Sequence, residues 1–257
     1  MKFGVCCGVN NALTLKNAGY DYIEANFTSI TTLSEQDFDA MLTEAGSLAL
    51  PVYATNCFFP GDIDLYGEGA QQRVSEYAAR GFSRVAKLGV KMCVIGSGKA
   101  RNIPDGEDRA VIEQKFTDLL SVLGELAMPY GIKIAIEPLS FNETNFINKV
   151  GEAVALAEKC GKSNVGALVD FFHFHMNGEA DDGLLCAKGR LFHAHIARPN
   201  DRQMPTENEL PILEKWAALL AEIGYDGTLS LEGGYGKDFQ QTLENTRPLL
   251  SVFGKKQ

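Results

Sequence analysis

The chain has 257 residues, 45% of them hydrophobic, which suffices to fill one large core, and its formal charge of −9 disfavours a nucleic-acid surface built on clustered Lys and Arg. A single phosphate on a small molecule is not excluded, because one local Arg can hold it. The 6 cysteines form no Cys-x-x-Cys pair, the chain opens MKFGVCCG without an apolar leader, and no run approaches the ~18 apolar residues of a membrane helix. The expectation is a cytoplasmic protein with reduced thiols and neither a nucleic-acid nor a membrane partner.

In chain order, β-rich runs at residues 2–8, 21–27, 51–58, 92–96, 133–139, 164–171, 191–197 and 227–233 alternate with amphipathic stretches. Most are continuously apolar, as parallel strands buried on both faces must be. Ser34 ahead of Glu35 and Asp37 predicts a helix N-cap, with Phe38, Met41, Leu42 and Ala45 as the apolar stripe. Further helices are predicted over 70–88, 110–128, 142–160 and 209–223, the last with Trp216 on its apolar face. Gly89, Gly131, Gly161 and Gly224 lie just past helical runs, where a left-handed cap favours glycine. Eight strands with intervening helices in this length predict an α/β fold, a single (β/α)8 TIM barrel over residues 1–257. A doubly wound sheet is the alternative, but no Gly-x-Gly-x-x-Gly follows the first strand.

Barrels of this kind carry their sites at the C-terminal ends of the strands. Glu137, Asp170, His195 and Glu232 end or nearly end the fifth to eighth runs, at separations of 33, 25 and 37 residues, one βα unit per step. Side chains at that level of adjacent strands converge. Three carboxylates and an imidazole suit Mn²⁺, Mg²⁺ or Co²⁺ better than a structural Zn²⁺ site. They leave positions where two substrate oxygens can chelate, which favours proton transfer α to a carbonyl through a metal-bound enediolate. Each residue also has a plainer reading: acids satisfied by backbone N–H groups, Asp170 as a helix N-cap, His195 as a hydrogen-bonded core histidine. All 4 histidines fall between His173 and His195. His193 points to the same side as His195 one layer deeper, which suits support rather than ligation. His175 reads as a loop histidine. The loop from Gly96 to Arg101 reads as a barrel rim, with a phosphate cradle using Lys99 or Arg101 as the alternative.

The stretches IAIEPLSFNET, ALVDFFHFHMN, LFHAHIARPNDR and GYDGTLSLEGG resemble the xylose-isomerase-like barrel superfamily, in its ketose 3-epimerase and hydroxypyruvate isomerase branch. The likeness covers the second half of the chain and includes VIGSGKARNIPDG, whereas the first three βα units match in general pattern only. The resemblance implies Glu137, Asp170, His195 and Glu232 as ligands of one divalent ion, Mn²⁺ ahead of Mg²⁺ or Co²⁺. It implies Glu137 and Glu232 as an acid/base pair on opposite faces of the substrate, with His173, Glu143 and Arg202 binding substrate oxygens. The implied activity is a ketose 3-epimerase acting on a small sugar or hydroxy-keto compound, in a homodimer or homotetramer. Hydroxypyruvate isomerase, an inosose-type dehydratase, and a barrel that binds sugar without turnover are alternatives. An endonuclease IV-like hydrolase would need histidines on the second and third strands, and the first 172 residues contain none. One departure bears on the substrate: Phe174-His175 intervene before Met176-Asn177, where the epimerase pattern reads Asp-x-Phe-His-Met-Asn.

Overall fold

The computed structural model of the protein describes residues 1–254. Eight parallel strands close a barrel in chain order: β1 (Lys2–Cys6), β2 (Tyr22–Asn26), β3 (Val52–Asn56), β4 (Met92–Ile95), β5 (Lys133–Ile136), β6 (Val165–Asp170), β7 (Leu191–Ile196) and β8 (Thr228–Leu231). β8 returns to β1 with Lys2 opposite Thr228 and Val5 opposite Leu231, so no strand edge is left to pair with another chain. The expected (β/α)8 barrel is therefore observed. Its apolar runs are explained by burial on both faces, against helices outside and against one another inside.

The outer layer comprises α1 (Ala12–Asn17), α2 (Phe27–Thr32), α3 (Glu35–Ala45), α4 (Ala70–Lys87), α5 (Gly98–Arg101), α6 (Arg109–Ala127), α7 (Val150–Lys159), α8 (Phe171–Met176), α9 (Leu210–Glu222) and α10 (Phe239–Thr246). The cap signals act as expected. Ser34 Oγ accepts from Asp37 N at 3.1 Å, opening α3. Gly89, Gly131, Gly161 and Gly224 adopt φ of +88°, +66°, +69° and +72°. Trp216 of α9 is buried and stacks on Phe171 with ring centroids 4.9 Å apart, fixing α9 beside the end of β6. All six cysteines are free, and among the described residues no helix is long and apolar enough to cross a membrane.

Two expectations need correction. The helix predicted over 142–160 begins only at Val150, and residues 141–149 form a loop at the barrel mouth. Polar side chains satisfy the backbone there instead of a helical ladder. Asn148 Nδ2 donates to Leu139 O at 3.0 Å and Thr144 O at 2.9 Å, and Ile147 sits at φ +63°. The second concerns His175, which lies on the exposed side of α8 rather than in a loop. The inserted pair Phe174-His175 is absorbed as helical turn, with Phe174 buried against Phe171 at 5.9 Å between centroids.

Close packing inside the barrel depends on a glycine. A Cβ at Gly4 would fall 2.1 Å from Cε2 of Tyr22, whose ring is buried and whose hydroxyl lies 2.9 Å from Ser230 Oγ. Gly4→Ala is expected to keep the fold but cost about 1–3 kcal/mol through overpacking. Urea unfolding followed by circular dichroism checks this, and an unchanged midpoint would show that the Tyr22 ring has room to move.

Candidate active site

Adjacent strands bring the four strand-end residues to one level. Asp170 closes β6 opposite His195 of β7, and His195 lies opposite Ser230 of β8. Glu137 and Glu232 follow β5 and β8, extending the ladder through N–H bonds of 3.0 Å to Ile95 O and Ile196 O. His195 Nδ1 stands 3.3 Å from both Glu137 Oε1 and Glu232 Oε2. One donor atom from each of Glu137, Asp170, His195 and Glu232 lies within 4.8 Å of all the others. Donors on opposite sides of a hard divalent ion, with bonds of about 2.0–2.4 Å, stand about 4–5 Å apart, so the set fits such an ion in size and in donor chemistry. Gly96 makes room for the Glu137 carboxylate, because a Cβ there would fall 2.1 Å from Glu137 Oε2. Cys6, Glu24 and His195 also lie close together, but both Glu24 oxygens are occupied by imidazoles.

Asp170 acts as the helix cap and keeps its second oxygen towards the cluster. Its Oδ1 caps α8 by accepting from Phe172 N at 2.8 Å, while Oδ2 faces the cluster, 3.5 Å from His173 Nε2. Burial and the charge of Glu232 raise the pKa of Asp170 and of Glu137. Burial alone would raise Glu232 too, but His195 and Arg202 hold it below the usual carboxylate range. Burial would lower His195, and the carboxylates of Glu24 and Glu232 instead raise it well above an ordinary imidazole.

Arg202 lies among the acids. It adopts φ +53°, lies 5.0 Å over the Phe172 ring, and donates to Glu232 Oε2 at 2.8 Å and Glu143 Oε1 at 3.2 Å, with Asp170 Oδ2 at 3.4 Å. Arg198, by contrast, pairs with Asp201 near the surface. His173 is buried, and its Nδ1 accepts from Ser140 N at 3.1 Å, which assigns the ring proton to Nε2. That Nε2 is buried without a hydrogen-bond partner, and burial lowers the His173 pKa towards the neutral ring. Arg101 is fully buried and donates to Ile95 O and Ile147 O, so it is spent on the loop and is not free for a phosphate.

Two neighbours of the site were not anticipated. Asn56 Nδ2 donates to Glu232 Oε1 at 3.0 Å. Glu24, 1% exposed, accepts from His195 Nε2 at 3.0 Å and His193 Nε2 at 2.9 Å. The signal for Glu24 was present as the lone acid inside the strand Tyr22-Ile23-Glu24-Ala25-Asn26. His193 does sit one layer deeper, its Nδ1 2.7 Å from Thr228 Oγ1.

Comparison with known proteins agrees with this architecture. Residues 13–250 match the model of the family described as xylose isomerase-like TIM barrel. The chain is 25% identical over 269 residues to an inosose isomerase of Bacillus velezensis, covering 92% of this chain and 91% of that protein. A match to the inosose isomerase of Halalkalibacterium halodurans, 29% identical over 135 residues, takes in 48% of this chain and spans about half, 47%, of the relative. Among solved structures, a D-psicose 3-epimerase crystallised in the presence of D-fructose superposes with a TM-score of 0.82 at 22% identity, covering 99% of this chain and 100% of the other. At that identity the likeness shows the fold alone.

The charge pattern at the mouth gives an expectation for Arg202. Arg202→Gln leaves Glu143, Asp170 and Glu232 facing one another without the guanidinium. In chelator-treated protein the loss is expected to be about 1–2 kcal/mol, below the 3–5 kcal/mol of a fully buried pair because Arg202 is partly exposed. Added Mn²⁺ should restore most of it. Thermal denaturation with and without Mn²⁺ reads both effects, and a variant as stable as the parent would show that Arg202 does not balance these acids.

Proposed function

The chain belongs to the xylose isomerase-like TIM barrel family, and we propose that within it this protein is a divalent-cation-dependent isomerase or epimerase of a neutral ketose, with ketose 3-epimerisation favoured. One observation carries the reading. Glu137 and Glu232 come from the two ends of an arc of four adjacent strands, and each brings a carboxylate oxygen to 3.3 Å from the same imidazole nitrogen. A substrate carbon held between the two strands would have a carboxylate on each face. Inversion at a carbon next to a carbonyl needs that arrangement, since one group removes the proton and the other returns it from the opposite side.

Glu137, Asp170, His195 and Glu232 would hold the cation, Mn²⁺ ahead of Mg²⁺ or Co²⁺. When bound, the cation supplies Lewis-acid charge that stabilises the oxyanion developing on proton loss. The side chains supply the rest. Asn56 fixes Glu232 through Oε1 and leaves Oε2 to the site. His173 offers its unpartnered Nε2–H to a substrate oxygen. Arg202 can exchange its contacts with Glu143 and Glu232 for substrate hydroxyls, and Glu143 can accept from one. Since epimerisation is reversible, Glu137 and Glu232 exchange acid and base roles with direction.

The electrostatics bear on substrate class. Four carboxylates, Glu137, Glu143, Asp170 and Glu232, surround the single guanidinium of Arg202, and Arg101 is committed to carbonyls. An anionic substrate such as hydroxypyruvate or a sugar phosphate would add to that negative field, whereas a neutral polyhydroxy ketone would not. A cyclic ketone of the inosose class is the second reading, favoured by the relative matched over 91% of its length. It uses the same first proton transfer.

Incubation of Mn²⁺-loaded protein with ketoses, inosose and hydroxypyruvate in D₂O tests this. The expected result is a new isomer carrying deuterium next to the carbonyl; a product lighter by one water would indicate a dehydratase, and no exchange with any ketone would overturn the proposal. Glu137→Gln and Glu232→Gln should each lower kcat by about 10²–10⁴-fold while keeping the native circular dichroism spectrum. A near-parental rate in either would remove that residue from the acid/base pair.

A further inference from the structure

We propose that Glu24 is the positioning residue of the metal centre: it holds a proton of His195 on Nε2, so that Nδ1, beside Glu137 and Glu232, is the nitrogen that gives up its proton and offers its lone pair when a divalent cation binds. The inference rests on the cation reading above and deepens it. A neutral imidazole has one lone pair, and its location is set by whatever the other nitrogen touches. His195 Nε2 lies 3.0 Å from Glu24 Oε1, and an ionised carboxylate only accepts. Nδ1 is thereby left to the acids at 3.3 Å. Without Glu24 either tautomer is available, and one of them puts a proton where the cation must bind.

Glu24 is itself held from the far side. Its Oε2 accepts from His193 Nε2 at 2.9 Å, and His193 Nδ1 meets Thr228 Oγ1 at 2.7 Å. Ser230 Oγ lies 3.4 Å from His193 Nε2 and 2.9 Å from the hydroxyl of Tyr22. Glu24, His193, His195, Ser230 and Tyr22 are each at most 1% exposed. The network joins β2, β7 and β8 through the barrel interior, where apolar packing alone would serve stability as well. A buried carboxylate clamped between two imidazoles has a fixed direction, which a ligand-orienting group requires.

The test is Mn²⁺ affinity by calorimetry on chelator-treated, refilled protein, with the absorption spectrum of the Co²⁺ form as a second readout. Glu24→Gln can still accept from His195 Nε2–H, and its amide can donate to His193 Nε2 once that ring moves its proton to Nδ1 beside Thr228 Oγ1, so it keeps the fold while losing the charge. Glu24→Leu removes the clamp altogether. Loss of an outer carboxylate behind a ligating histidine weakens metal binding by about 10–100-fold. Glu24→Gln is expected near the tenfold end and Glu24→Leu near the hundredfold end, with an altered Co²⁺ spectrum. The thermal midpoint of metal-free Glu24→Gln should stay close to the parent, separating this role from a merely structural one. Unchanged Mn²⁺ affinity in Glu24→Gln, beside a parent that binds, overturns this inference alone. A parent that takes up no divalent ion overturns the cation reading and this inference together.

Discussion

The constraint on which the site depends is the burial of like charge. Glu137 and Asp170 are almost wholly buried and Glu232 largely so, and all three acids lie around one imidazole. Left alone, such a cluster would be held down by repulsion and desolvation, and its members would take up protons. Positive charge meets it from two sides. His195 lies beneath the acids with Glu24 behind it, and Arg202 comes across the top. The strand pairing holds these acids at one level, because Asp170 lies opposite His195 and the N–H groups of Glu137 and Glu232 extend the ladder. A divalent ion of matching size would relieve that field further, so the charge pattern and the donor geometry are consistent with the proposed cation site.

The loop over 141–149 is the second support. Asn177 Nδ2 donates to Leu139 O and Asn148 O, while Asn177 Oδ1 accepts from Phe141 N. Asn148 in turn holds Leu139 O and Thr144 O. These amides tie the segment after β5 to the segment after β6, and so fix Glu143 and the Ser140 N–H that faces His173. Buried Arg101 anchors the same loop from below through Ile147 O. The shape of the mouth thus depends on asparagines and one arginine that make no hydrogen bond to the cluster.

Much of this was legible in the sequence, and the parts that were not have a common cause. Strand ends are local features: an apolar run that stops at Glu137, Asp170 or Glu232 announces itself, and the spacing of one βα unit places these residues together. Glycines past helices and Ser34 before α3 are likewise read from neighbours in the chain. The helix expected over 142–160 failed because the side chains of Asn148 and Thr144 compete with the helical ladder, and periodicity does not register that competition. Glu24 and Asn56 were missed because their partners lie 171 and 176 residues away. A strand-interior acid is a sign of buried polar pairing, but only the closed barrel supplies its partner.

Two histidines of the same chain are turned to opposite uses by what lies behind them. His173 faces a donor, the Ser140 N–H, so its Nδ1 accepts and its Nε2 presents a proton to the site. His195 faces an acceptor, Glu24, so its Nε2 donates and its Nδ1, beside the acids, is the nitrogen left to give a lone pair to a cation once its proton leaves. Neither choice is intrinsic to imidazole, and both rings sit at 1% exposure or less, where water cannot arbitrate. A proton donor facing the site and an electron-pair donor near the acids are the two things that the proposed cation-assisted enolisation would ask of its histidines. The backbone turn at Ser140 and the acid at Glu24 divide these roles before any substrate arrives, so the division belongs to the fold.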